Sequence, residues 1–93
     1  MLRLPPSLLH DTATATLAEM LQALSAEPST GVAVDASALE RFDSTALAVL
    51  LELRRAALQA GKTLALQGMP QRLQDLAALY GIAELLPSAA PVK

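Results

Sequence analysis

Two carboxylates and two hydroxyls stand where apolar stretches of the sequence give way to polar ones. Asp35 ends an apolar run that begins at Gly31, and Asp43, Ser44 and Thr45 precede a long helical pattern of leucine and alanine. Two carboxylates near the carboxyl end of a strand can mark a ligand crevice. A serine hydroxyl in the first turn of a helix can accept a phosphoryl group, which adds about −1.5 to −2 charges there. These side chains are the candidates for chemistry in this chain.

The rest of the sequence offers little for catalysis. The chain has no cysteine and a single histidine, His10, which excludes a thiol nucleophile, a disulfide framework and a Cys- or His-rich metal site. It has no Gly-rich phosphate loop, and His10 lies in a predicted loop near the N-terminus, where no Ser-His-Asp set is plausible. The preferred interpretation is that Asp35 caps a turn and Asp43 caps a helix, with a small-ligand site at the two carboxylates as the weaker alternative. We expect no catalytic residue, no metal and no cofactor, and therefore no enzyme.

Length and composition favour one small domain that neither binds nucleic acid nor spans a membrane. The 93 residues can bury about two-thirds of the unfolded surface, and their net charge of −2 is too mild for electrostatic binding to nucleic acid. The chain is 53% hydrophobic, yet no segment reaches the roughly 18 uninterrupted apolar residues of a membrane span, and no signal peptide is expected. The apolar excess fits either a surface that a partner covers or an alanine- and leucine-rich composition.

The longest predicted helix runs from Ser44 to about residue 60. Asp43 is its expected N-cap, because a carboxylate there accepts hydrogen bonds from the free N–H groups of the first turn. Phe42 before the cap is expected to pack on Leu47 as a hydrophobic staple. Gly61 is expected to end the helix. The apolar rows of this helix are wide enough to face a sheet and still leave apolar surface near its start.

The other elements predict an α/β fold with a mixed sheet of about four or five strands and about three main helices. Residues 2–4 and 7–9 are expected to form an N-terminal hairpin, and residues 31–35 a central strand buried on both faces. The helix between them begins near Asp11 and ends before Pro28. Residues 63–66 form the next strand, so that residues 32–66 make a right-handed parallel crossover. A last helix runs from Pro70 to Gly81, and residues 87–93 are expected to be a flexible tail.

Four motifs together are similar to those of a known family. They are an apolar strand ending in Asp35, the segment Phe42-Asp43-Ser44-Thr45-Ala46-Leu47, Gly61-Lys62 before a strand, and Leu79-Tyr80-Gly81-Ile82 near the end. Their order resembles the STAS domain, the fold of anti-sigma-factor antagonists and of the cytoplasmic tails of sulfate transporters. Within that family, the short length and the ending look most like the small STAS subunit of the bacterial Mla phospholipid transporter. The resemblance covers a single STAS-like domain over residues 1–86.

The resemblance implies that the start of the second helix faces a partner protein. The partner would be the cytoplasmic ATPase of an ABC transporter for phospholipids, which would hold this chain in the cytoplasm at the inner membrane. Ser44 matches the serine phosphorylated in the antagonists, so the alternative is an anti-sigma-factor antagonist switched at Ser44, with an anti-sigma kinase as partner. Ala46 replaces the glycine usual in the antagonists, which weakens this alternative. The expected partner-binding residues are Phe42, Asp43, Ser44, Thr45 and Leu47.

Overall fold

Short strands and longer helices alternate through the computed structural model, which describes residues 2–86. The predicted tail of residues 87–93 lies outside the described residues. The strands are β1 (Leu2–Arg3), β2 (Ser7–Leu8), β3 (Gly31–Asp35), β4 (Arg41–Phe42) and β5 (Thr63–Gln67). The helices are α1 (Ala13–Ala26), α2 (Thr45–Gln59) and α3 (Gln71–Leu79), followed by a 3₁₀ turn over Ala83–Leu85. The predicted α/β class is confirmed.

The strands form two separate parallel sheets. The larger sheet has the order β1-β3-β5 and the smaller one pairs β2 with β4. The predicted N-terminal hairpin is therefore wrong, because β1 and β2 each pair with a later strand and not with one another. Two prolines between β1 and β2 carry the chain from one sheet to the other, and the carbonyl of Pro6 accepts N–H groups of Glu40 (2.7 Å) and Arg41 (3.0 Å). This contact places β4, and with it the start of α2, beside the N-terminal segment.

The β3 strand is buried on one face only, which corrects the prediction that both faces are covered. Val32 and Val34 are buried, whereas Ala33 and Asp35 are half-buried. Val34 lies opposite Leu66 of β5, which is also buried, so the buried positions of neighbouring strands share a face. Helices α1 and α2 pack on one another and contact the larger sheet. The alternation of buried and half-buried residues along β3 therefore reflects helices that cover a single face of the larger sheet.

The α2 helix supplies the centre of the core. Leu50 and Leu53 are fully buried, and four further α2 residues are buried with them: Ala46, Leu47, Val49 and Ala57. Gly61 follows the end of α2 and has a φ of +75°. Glycine adopts this left-handed conformation without strain, as expected for a helix C-cap. None of the helices within residues 2–86 combines the length and the hydropathy that crossing a bilayer requires.

A single lysine ties the end of α1 to the start of β5. The Nζ of Lys62 donates hydrogen bonds to the carbonyl oxygens of Leu24 (2.9 Å) and Glu27 (2.5 Å). These carbonyls belong to the last turn of α1, where backbone acceptors lack partners within the helix. Although Lys62 follows α2 in the sequence, its ammonium group therefore complements the end of α1.

Candidate functional site

The start of α2 is held by a carboxylate cap. An Oδ1 of Asp43 accepts the backbone N–H of Thr45 at 2.9 Å, and the Asp43 carbonyl accepts the N–H of Ala46 at 3.0 Å. The capping role predicted for Asp43 is confirmed, although the helix begins at Thr45, one residue later than expected. Ser44 occupies the boundary position with φ −63° and ψ −16°, and its side chain makes no capping hydrogen bond.

Hydrogen bonds also fix the ionisation of Asp43. The hydroxyl and the backbone N–H of Thr45 hold the pKa of the Asp43 carboxyl below its ordinary value, since both bonds favour the charged form. The backbone N–H of His10 and the nearby His10 ring act in the same direction. Asp43 is therefore an ionised cap of α2 at neutral pH.

Burial divides the five predicted partner-binding residues into two groups. Asp43 and Ser44 are exposed and Thr45 is half-buried. Phe42 and Leu47, in contrast, are only 7% and 3% exposed and belong to the same core cluster. Their shared burial agrees with the predicted staple, but it removes both from the accessible surface, which corrects their assignment as direct partner contacts. Helical periodicity explains Leu47, because it lies three residues before Leu50 on the side that faces the core.

The accessible apolar surface at this site comes instead from the seam between α1 and α2. A groove of about 170 Å³ begins beside Thr45 and is formed by both helices. Its lining residues are Ala13, Thr14 and Leu17 of α1 and Thr45, Ala48, Val49 and Glu52 of α2. Sequence reasoning missed this groove, since it exists only where two helices distant in sequence pack together. The one available signal was the small side chain of Ala48, one helical turn after Thr45.

A positive charge lies over Phe42, the residue before the Asp43 cap. The guanidinium of Arg72 in α3 lies over the ring of Phe42, with Cζ 4.6 Å from the ring centroid. Arg72 itself is exposed, whereas the ring that it covers is almost entirely buried. The residue before the Asp43 cap is thus shielded from solvent by a cation.

Asp35 does not join this site. Its Oδ1 accepts the N–H of Ser37 at 2.9 Å, which closes the turn after β3. Hydrogen bonds from the side chain and backbone of Ser37 hold the pKa of Asp35 below its ordinary value, with Arg3 adding a smaller attraction. Asp35 and Asp43 share no hydrogen-bond partner, so the structure gives no support to a ligand crevice between them. Within residues 2–86, no three His, Cys, Asp or Glu side chains are grouped as metal ligands would be.

Fold and site together define a small α/β domain whose distinctive surface is a capped helix start with the exposed Ser44, bordered by an apolar groove. A family model described as Mlab, STAS domain matches residues 1–87. The chain belongs to this STAS family, which confirms the resemblance seen in its motifs. No curated protein gives a significant match to the sequence.

Proposed function

We propose that this chain is a non-enzymatic STAS subunit that binds the cytoplasmic ATPase of an ABC transporter for phospholipids and supports its activity. Membership in the family described as Mlab supports this proposal. In this role the protein sits in the cytoplasm at the inner membrane through its partner, and it contributes to lipid asymmetry of the outer membrane. The observation that carries the proposal is Thr45, which is half-buried at the point where the polar helix start meets the α1–α2 groove.

The site combines a pocket for an anchoring side chain of a partner with a polar rim. Binding energy at protein interfaces concentrates in a few side chains that fill well-packed pockets, while polar groups form the rim. The groove of about 170 Å³ beside Thr45 is large enough for one apolar anchor of the partner. Asp43 and Ser44 are exposed next to it and supply a polar rim. A stable interface buries about 800 Å² on each partner, so the contact must extend beyond the groove over the neighbouring surfaces.

Binding to the purified ATPase, measured by titration calorimetry, tests the proposal. A Thr45→Arg variant places a long cation over the groove, and we expect at least about a tenfold rise in Kd because a 1.4 kcal/mol loss already gives that factor. Thr30→Arg is the matched control, because Thr30 is exposed just before β3, whereas α2 follows the other end of that strand. Equal affinity of the Thr45→Arg variant and the wild type, with both folded, would show that the partner binds elsewhere.

A second candidate function is an anti-sigma-factor antagonist that a serine kinase phosphorylates at Ser44. The observation that favours it is the exposed Ser44 hydroxyl, which makes no hydrogen bond with any residue of 2–86 and is accessible to a kinase. A phosphate there would add negative charge beside Asp43 and repel an acidic or apolar partner. Mass spectrometry of the protein isolated from its host tests this candidate, and consistent absence of phosphate on Ser44 would remove it.

A further inference from the structure

Arg72 is a charged side chain whose charge is not neutralised by its neighbours. It makes no hydrogen bond and no ion pair with any residue of 2–86, and its one defined contact is the ring of Phe42. The carboxylate of Asp43 already accepts the N–H of Thr45 at 2.9 Å, and the Oδ1 of Asp75 in α3 accepts a hydrogen bond from the Nε2 of Gln71 at 3.0 Å. By comparison, exposed Arg55 of α2 has Glu52 at 3.3 Å.

The contact with Phe42 holds the Arg72 guanidinium over the face of the ring. A guanidinium attracted to the face of a ring keeps its N–H donors at the edge of its own plane, where they can reach a further acceptor. Because the guanidinium already lies on a buried ring, less side-chain freedom remains to be lost when such an acceptor arrives. Arg72 therefore presents hydrogen-bond donors to the solvent.

This donor stands next to the proposed docking site. Phe42 lies two residues before Ser44, and consecutive Cα atoms are about 3.8 Å apart, so the two Cα atoms are separated by at most about 7.6 Å. Two features therefore border the start of α2. Thr45 lines the α1–α2 groove, and Phe42 contacts Arg72. A partner that covers Ser44 and Thr45 with an interface of ordinary size would also reach Arg72.

We propose that Arg72 belongs to the partner-binding surface and pairs with a carboxylate that the ATPase presents to it. The inference rests on the proposed function, and it names the chemistry of the partner at that site. Arginine and carboxylate form paired, parallel hydrogen bonds, which fix orientation as well as adding attraction. Nucleic-acid phosphate is not the acceptor, because a chain with a net charge of −2 lacks the cations that such binding needs.

Association kinetics with the purified ATPase, measured over a range of salt concentrations, test this pairing. Arg72→Glu should slow association about tenfold at low salt and flatten its salt dependence, because a charge pair accelerates encounter and is screened by ions. Arg72→Lys keeps the charge without the planar fork, so it should retain the fast association and dissociate sooner. Arg54→Glu is the matched control: it makes the same change in charge on α2, about 14 Å along the helix from Thr45 and on the helix face opposite the groove. It should change the association rate less than about twofold.

The outcomes separate this inference from the proposed function. If Thr45→Arg abolishes binding while Arg72→Glu behaves like Arg54→Glu, the docking site stands and the pairing of Arg72 is overturned. If the wild type does not bind the ATPase, or Thr45→Arg binds as the wild type does, both the docking site and the pairing of Arg72 are overturned. Thermal melts followed by circular dichroism establish that each variant is folded, and Arg72→Lys provides a mild variant if Arg72→Glu is not.

Discussion

Gly68 packs more tightly than any other glycine of the described chain. A Gly68→Ala variant measures the free-energy cost of adding a methyl group at this close contact. Gly68 has a φ of +67°, and a Cβ built on it would lie 2.8 Å from the Cβ and 3.2 Å from the Cα of Ser37. Ser37 closes the turn after β3 through its N–H bond to Asp35. The contact therefore joins the turn after β5 to the loop that leads from β3 towards the start of α2.

The expected cost has two separable parts. Alanine at positive φ costs about 1–2 kcal/mol, offset by about 0.4–1 kcal/mol because alanine restricts the unfolded chain. Forcing a methyl into occupied space costs about 1–3 kcal/mol more, since backbone atoms of Ser37 must move. Together they predict a loss of about 1–5 kcal/mol for Gly68→Ala, centred near 3 kcal/mol. For a domain of this size, each kcal/mol lowers the Tm by about 4–8 °C.

Gly61→Ala is the matched control for backbone strain. Gly61 has a φ of +75°, and a Cβ there would meet nothing within 4 Å, so only the conformational part applies. Urea denaturation followed by circular dichroism gives the free energy of unfolding of both variants. We expect Gly68→Ala to lose at least about 1 kcal/mol more than Gly61→Ala, which is the lower end of the overpacking cost. Equal losses would refute the close packing of Gly68 against Ser37.

Two further predictions concern the attachment of α1 and the ionisation of the α2 cap. Lys62→Met keeps much of the apolar stem but removes the ammonium hydrogen bonds to the carbonyls of Leu24 and Glu27. We expect the free energy of unfolding to fall by about 2 kcal/mol and amide hydrogen exchange to become faster in the last turn of α1. An unchanged exchange rate there would contradict the assignment. Because folding lowers the pKa of Asp43, the cap stabilises the protein fully above the unfolded pKa of about 3.9 and loses that effect as the pH falls through the lower folded value. Asp43→Asn lacks this dependence, so the stability difference from the wild type should shrink in acid; stability curves that stay parallel below about pH 4 would contradict it.

The local features of the site could be predicted from the sequence because they depend on residues close together in the chain. The cap at Asp43 needs only a carboxylate two residues before a free N–H group. The end of α2 at Gly61 likewise follows from the freedom of glycine at positive φ. Helices and the longer strands were predictable for the same reason, since their periodicity is written in consecutive residues.

The surface of the site was predicted less well, because exposure depends on what packs against each residue. Phe42 and Leu47 were assigned to the partner-binding surface on their apolar character, yet both are buried. Apolar side chains next to an exposed helix start belong to the core whenever another element covers them, and here Arg72 of α3 covers Phe42. Partner binding by Asp43, Ser44 and Thr45 stays a prediction.

The sequence by itself determined the α/β class, the capped helix start and the motifs of the STAS family. Only the tertiary structure decided that β1 and β2 pair with later strands, that α1 and α2 enclose an apolar groove, and that Arg72 reaches Phe42. The physical reason is the range of the interactions involved. Caps and helical turns are closed by neighbours within about four residues, whereas strand partners, grooves and ring contacts join segments whose meeting depends on the fold as a whole.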